Sequence, residues 1–239
     1  MSTTRAVFLD RDGVINRLIY HRDAGIVDSP FTVEQFELLP RVPKAIRLLN
    51  RLGFPVVLVS NQPGIAKKHF DEATLRKFDK KLKATLAAAG AHVDAIYYCL
   101  HHPDAAVKSL RKRCNCRKPG IGMLTQAARD LGIALADSYL VGDGLTDIEA
   151  GNRAGCRTVF VGRWKCEHCQ FIEPRCLRPS LIAKDLYEAA QLIISEVKAQ
   201  SPRIRGSAKK RRRRVNGGYT RYLPRDPGHV PVPERTGLL

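Results

Sequence analysis

Nowhere in the 239 residues is there an apolar run approaching the roughly 20 that a membrane-spanning helix needs. The opening stretch MSTTRAVFLDRDG meets its charges before any apolar signal region develops. No membrane span is therefore expected, and a cytoplasmic address is. Aromatic residues are scarce at 7%, and no basic strand is studded with them, which argues against a sheet that stacks nucleic-acid bases. The seven cysteines are an odd number in a chain without an export signal, so thiols and metal ligation are expected in place of a disulfide framework. No segment repeats another.

Acidic residues are also in short supply. The 23 Asp and Glu stand against 41 Lys and Arg, and the net charge of +18 looks like that of a nucleic-acid protein until it is followed along the chain. Residues 201 to 239 hold eleven Lys or Arg against only Asp226 and Glu234, so half of the excess sits in this short tail. Rich in Pro, Gly and Arg and without periodicity, the tail is expected to be disordered. Its run Lys209 to Arg214 would attract RNA, DNA or another anionic surface weakly through charge, or would simply be solvated. The remaining residues, 1 to 200, are expected to form one domain with a full core.

What the domain has in abundance is short β-branched runs alternating with helical stretches. RAVFLD (5 to 10), PVVLVS (55 to 60), VDAIYYC (93 to 99), SYLVGD (138 to 143) and CRTVFVG (156 to 162) have the near-continuous apolarity of strands buried on both faces. Helices are expected near 42 to 52, 71 to 89, 121 to 131, 145 to 154 and 180 to 199. In the second, Asp71 is the candidate N-cap, with Phe70 and Leu75 as a hydrophobic staple. This alternation predicts an α/β fold, a Rossmann-like doubly wound parallel sheet, with its site beyond the carboxyl ends of the strands.

Polar residues crowd those strand ends. The first strand ends DRDG, placing Asp10 and Asp12 on the same side of an extended stretch, one available to a metal and a phosphorus atom, the other to a leaving group; an Asp-rich turn or helix cap is the bland alternative. SNQPG offers the Ser60 hydroxyl and the amides of Asn61 and Gln62 to an anion. GDGLTD carries Asp143 and Asp147, which either bind a hard cation or cap the next helix. CRKPG supplies Arg117 and Lys118, the positive charge that a phosphoryl group requires. Four weak signals at consecutive strand ends reinforce one another.

In that order, FLDRDG, SNQ, CRKP and GDGLTD resemble the four signature motifs of the haloacid dehalogenase superfamily of phosphohydrolases. Cys-x-His followed by Cys-x-Cys directly before Arg-Lys-Pro is similar to the capless D-glycero-D-manno-heptose 1,7-bisphosphate 7-phosphatases and the related histidinol-phosphatases, which carry a zinc loop at this place. The resemblance covers roughly residues 5 to 195. It implies a Mg²⁺-dependent phosphoric monoester hydrolase of carbohydrate metabolism that works through an aspartyl-phosphate. Asp10 would be the nucleophile and Asp12 the general acid and base. Mg²⁺ would be held by the carboxylates of Asp10 and Asp143 and the main-chain carbonyl of Asp12. Ser60 would hold the phosphoryl oxygens, Lys118 would balance their charge, and Arg117, with Asn61 and Gln62, would contact the substrate. Asp147 would support Lys118 or the metal from behind.

Cys99, His101, Cys114 and Cys116 make a Cys₃His set, the closed shell of a structural Zn²⁺ rather than a catalytic one. Such an ion would stiffen the loop from 99 to 116 and so place Arg117 and Lys118. His69 and His102 do not fit the pattern and are expected on the surface, and Cys156 in the core. A second group, Cys166, His168, Cys169 and Cys176, has the composition of another Cys₃His site in a cramped spacing, or of reduced thiols packed under a loop. Two departures from the family bear on substrate. Gly144 stands where the heptose branch typically has a Lys, and the loop from Arg17 to Glu37, with Tyr20 and His21, is longer than usual. CRKPGIGM nevertheless matches the heptose spacing better than the CRKPK of the histidinol branch. A monomer acting on a small phosphorylated substrate is expected. The alternatives are histidinol phosphate, or nucleic-acid ends reached with the basic tail.

Overall fold

The computed structural model describes residues 4 to 163, 177 to 200 and, for the backbone, 219 to 222. Seven parallel strands form the main sheet: β1 (Val7–Leu9), β4 (Val56–Asn61), β5 (Ala95–Cys99), β6 (Tyr139–Gly142), β7 (Arg157–Val161), β8 (Leu181–Ala183) and β9 (Tyr219–Tyr222). Their spatial order is β8-β7-β6-β1-β4-β5-β9. A small antiparallel hairpin, β2 (Ile19–His21) and β3 (Ile26–Asp28), stands apart within the long loop after β1. The chain runs outward from β1 through β4 to β5, then crosses back to lay β6 on the other flank of β1. The order of strands therefore reverses between β1 and β6, and a crevice opens there at their carboxyl ends.

Alternating side chains explain why the strands are apolar throughout. Val7 and Leu9, Val56 and Leu58, and Ile96 and Tyr98 face one core, while Ala6 and Phe8, Val57 and Val59, and Ala95 and Tyr97 face the other. The first core is covered by α1 (Val42–Arg51), α2 (Glu72–Ala88) and α5 (Leu186–Gln200), the second by α3 (Gly122–Leu131) and α4 (Leu145–Ala154). Helix α2 starts as its sequence requires: Asp71 accepts the Thr74 N–H at 2.8 Å, and Phe70 and Leu75 pack into the same core.

Two expectations are corrected. The helix expected from residue 180 begins at Leu186, because Leu181–Ala183 pairs in parallel with β7 first. Asp185 then accepts the Glu188 N–H at 2.9 Å, while the Glu188 carboxylate reaches back to the Lys184 N–H at 2.7 Å. The Asp-x-x-Glu spacing already carried that start signal. Within the tail expected to be disordered, Tyr219–Tyr222 adds an edge strand to β5, so the sheet extends past residue 200. Its sequence YTRY consists largely of strand formers. The basic run 209 to 214 and the group Cys166, His168, Cys169 and Cys176 lie outside the described residues. Among the described residues no helix is long and apolar enough to cross a membrane.

Candidate active site

Each polar strand end arrives in the crevice by its own local route. At the tip of β1 the chain turns through Gly13 at φ 82°, where a Cβ would lie 1.9 Å from an Asp143 carboxylate oxygen. Glycine is required there both for the left-handed backbone and for the approach of β6's tip. Asp10 follows β1 directly and Asp143 follows β6, so the two face each other across the reversal of strand order.

Lys118 lies between the carboxylates. Its Nζ is 2.9 Å from Asp10 Oδ1 and 2.5 Å from Asp147 Oδ1, and it donates to the Val59 carbonyl at 2.9 Å. Burial opposes its charge, yet Asp10 and Asp147 outweigh burial and raise its pKa above the ordinary lysine value. Asp10, Asp143 and Asp147 can bring one oxygen each to within 4.8 Å of one another. Three carboxylates against one ammonium leave an excess of negative charge, and it appears at Asp143. Burial first, then Asp10 and Asp147, push its pKa up to about 8. The oxygen donor set, the low exposure and this unmet charge suit a hard divalent cation. Asp147 is the least open of the three, since its second oxygen accepts the Gly144 N–H at 3.1 Å.

Around Asp12 the donors are numerous. Asn16 Nδ2 reaches Oδ1 at 2.8 Å, Gln62 Nε2 reaches Oδ2 at 2.5 Å, and the Arg11 guanidinium reaches both oxygens at 3.2 and 3.1 Å. Ser60 ends β4 with its hydroxyl accepting from Gln62 at 3.1 Å. Asn61 accepts the Lys118 N–H at 2.9 Å and donates to the Lys118 carbonyl at 3.1 Å. Its amide thus clips the lysine loop to β4 with one N–H and one lone pair of the oxygen. Gln62, fully buried, is likewise committed to Asp12, Ser60 and Arg11. The DRDG motif signals its aspartates and hides its arginine. Arg11 points away from the crevice into the core, a position where charge is rarely expected.

The second cluster lies two residues up the chain from Lys118. Cys99 ends β5, and Cys114 and Cys116 return to it from the loop. Cys116 Sγ is 3.2 Å from both Cys99 and Cys114, Cys99 is 3.5 Å from Cys114, and His101 Nδ1 is 3.3 Å from Cys116 and 3.9 Å from Cys99. Bonds of about 2.0 to 2.3 Å to a central tetrahedral ion would put the ligand atoms roughly 3.4 to 3.8 Å apart, so the four residues need only a slight outward shift to make a zinc shell. Thiols this close cannot all ionise alone. Hydrogen bonds from Cys116 and Cys99 hold Cys114 far below the usual thiol range, while Cys99 and Cys116 are pushed above it. A divalent cation removes that conflict. Arg117 leaves the cluster with Nη1 3.4 Å from the His101 carbonyl.

His69 is more than a surface histidine. Phe31 stacks on His21 at 3.6 Å and meets His69 at 4.1 Å, tying the β2–β3 hairpin to the loop after β4. That loop is joined in turn to the Cys-rich loop, where the Val107 N–H donates to the Ala66 carbonyl at 3.0 Å. His102 is partly buried, its Nδ1 accepting the Asp104 N–H at 3.1 Å. Cys156 is in the core.

Comparison with known proteins follows the same lines. A HAD-hydrolase-like family model matches residues 115 to 189. The D-glycero-beta-D-manno-heptose-1,7-bisphosphate 7-phosphatase of Photorhabdus laumondii is 42% identical over 158 residues, 66% of this chain and 80% of the relative. The enzyme of the same name from Escherichia coli K12 is also 42% identical over 158 residues, covering 66% and 78%. Among solved structures, the D,D-heptose 1,7-bisphosphate phosphatase of B. bronchiseptica, complexed with magnesium and phosphate, superposes with a TM-score of 0.66 at 33% identity, covering 80% of this chain and 99% of that one. A putative HAD-like phosphatase from Mesorhizobium loti gives a TM-score of 0.66 at 28% identity, covering 86% and 91%.

Proposed function

The chain belongs to the HAD-like hydrolases, as a phosphoric monoester hydrolase, and from that premise we propose that it removes the 7-phosphate of D-glycero-D-manno-heptose 1,7-bisphosphate. One observation supports the chemistry above all: Asp10, Asp12, Ser60 and Asp143, from the ends of three strands, and Lys118, from the loop before α3, meet around one crevice.

Ester and nucleophile are both anionic, so positive charge must be in place before they approach. Lys118, already 2.9 Å from Asp10, supplies one cation, and the Ser60 hydroxyl donates to a phosphoryl oxygen. Mg²⁺ held by the carboxylates of Asp10 and Asp143 and the Asp12 carbonyl would neutralise the phosphoryl oxygens as a Lewis acid. An Asp10 oxygen forms a bond to phosphorus as the bond to the sugar oxygen breaks. The leaving oxygen keeps the electron pair and takes the proton of Asp12. Asp12, now a carboxylate, removes a proton from water, whose oxygen attacks phosphorus. The bond to Asp10 breaks and inorganic phosphate leaves. Asp147 orients Lys118, and Asn61 and Gln62, read from sequence as substrate contacts, act here as supports for Lys118 and Asp12. Arg117 remains the candidate substrate contact. The Cys₃His group would hold a structural Zn²⁺, which would fix the chain leading into Arg117 and Lys118.

A phosphate-release screen with Mg²⁺ against sugar bisphosphates, histidinol phosphate and 3′-phosphorylated DNA tests the assignment. The heptose bisphosphate should give the highest kcat/KM, with the 1-phosphate retained in the product. Preference for either of the other two substrates would overturn it.

A further inference from the structure

Behind Asp12 lies a buried polar chain that the proposed chemistry does not use. The Arg11 side chain is fully buried, and its guanidinium lies 5.7, 5.4 and 5.6 Å from the ring centres of Phe36, Phe78 and Tyr98. From this aromatic cage its Nη2 reaches Asp12 Oδ2 at 3.1 Å and the Gln62 carbonyl oxygen at 2.7 Å, while its Nε reaches Asp12 Oδ1 at 3.4 Å. Tyr98 in turn donates its hydroxyl to Asp79 Oδ1 at 2.6 Å, and Asp79 lies buried on α2. A guanidinium cannot shed its charge, and apolar side chains of similar volume in place of a buried ion pair are often as stable or more so. Its retention in a cage of three rings therefore calls for a role other than packing.

We propose that Arg11 is a positioning residue for proton transfer. Clamped by Phe36, Phe78 and Tyr98 and anchored through Tyr98 to Asp79, it grips the back of the Asp12 carboxylate so that one edge faces the leaving oxygen. A planar fork holds a carboxylate in one plane, which a point charge on a flexible stem does not. Gln62 reinforces the grip, since its carbonyl accepts from Arg11 while its Nε2 donates to Asp12. The proton therefore passes from an acid whose orientation is set before substrate arrives. This inference rests on Asp12 being the proton donor.

The leaving group reads it out. A sugar alkoxide needs a proton as it departs, whereas a nitrophenolate scarcely does, so kcat/KM across phosphate monoesters of graded leaving-group pKa isolates the proton-transfer step from folding and phosphate binding. Arg11→Lys should lose about 30-fold or more on sugar phosphates and less than about threefold on an aryl phosphate. Arg11→Gln should show the same selectivity more strongly. Tyr98→Phe, which keeps the ring and removes the tie to Asp79, should lose about 3- to 10-fold on sugar phosphates alone. A uniform loss across the series, or none, in Arg11→Lys and Tyr98→Phe overturns the proposal even if Arg11→Gln fails to fold. Asp12→Asn separates the two readings. If its losses are flat across the series, Asp12 is not the proton donor; if they are steep while those of Arg11→Lys are flat, only the positioning role fails.

Discussion

The carboxylates around Lys118 and the thiols around His101 are linked where Cys116 precedes Lys118 by two residues, and they solve opposite problems. In the first group three carboxylates, Asp147 buried and Asp10 and Asp143 half-buried, surround one ammonium, and Asp143 is left with a raised pKa. In the second, three sulfurs and one imidazole already stand close to the spacing of a closed shell. Hard oxygen ligands with charge to spare suit a cation that keeps open positions for a phosphoryl group, and soft ligands in a closed set suit one that does nothing but hold. One cluster is built to be completed by substrate, the other to be complete before substrate comes.

Asp10→Asn is the most severe way to test that division. Nearly isosteric, it should leave the fold intact by circular dichroism while phosphate release falls on the order of 10⁴-fold or more, because the nucleophile is gone. Near-normal turnover would remove the carboxylate cluster from the chemistry. On the other side, Cys116→Ser, or extraction of zinc with a thiol-directed chelator, should lower kcat/KM by about 10- to 100-fold. Added Mg²⁺ should not rescue the loss, and Zn²⁺ should rescue the chelated protein. Unchanged rates in protein shown to be zinc-free by metal analysis would mean that the loop positions Arg117 and Lys118 unaided.

The two clusters also differ in how far sequence disclosed them. The thiols and histidine were legible because ligand spacing is local: Cys-x-His and Cys-x-Cys need only one loop to bring them together. The carboxylates were legible because each follows a buried strand, and parallel strands end on the same side. What stayed hidden depends on which way a side chain points. Arg11, between two site aspartates, looks like a third polar residue of the tip, yet strand alternation turns it into the core. Asn61 and Gln62 look like ligand contacts until their partners across 50 or more residues of chain are known. The edge strand Leu181–Ala183 was lost inside a helical pattern because three residues carry little periodicity.

Metal-free protein sharpens the electrostatic half of the comparison. Folding raises the Asp143 pKa from 3.8 to about 8, so between those values the folded chain holds a proton that the unfolded chain has lost. Stability must then fall as pH rises through that window. With zinc in place and Mg²⁺ omitted, the melting temperature should drop between pH 5.5 and pH 8. Mg²⁺ should restore it increasingly toward the upper end, by about 2.7 kcal/mol at a hundredfold excess over Kd. A melting temperature that ignores both pH and Mg²⁺ would show that the excess charge is met by other means.

The smallest effect concerns Gly144, the position where the resemblance to the heptose branch leads to the expectation of a lysine. Gly144 has φ −113° and ψ 154°, extended backbone open to any residue, and an added Cβ would meet Asp147 Oδ2 at 3.2 Å, Thr146 Oγ1 at 3.5 Å and Thr146 N at 3.9 Å. The backbone conformation thus does not require glycine, a side chain there needs only a slight shift of Asp147 Oδ2, and the absence of a cation is the larger consequence. Gly144→Lys should lower KM for the heptose bisphosphate by roughly fivefold, equivalent to about 1 kcal/mol for a solvent-accessible ion pair. KM for a monophosphate and kcat for both should stay unchanged. Raising the ionic strength should erase the gain, since an accessible charge is screened. Equal improvement for monophosphate and bisphosphate would place the new ammonium on the reacting phosphate and leave the second one to be met elsewhere on the rim.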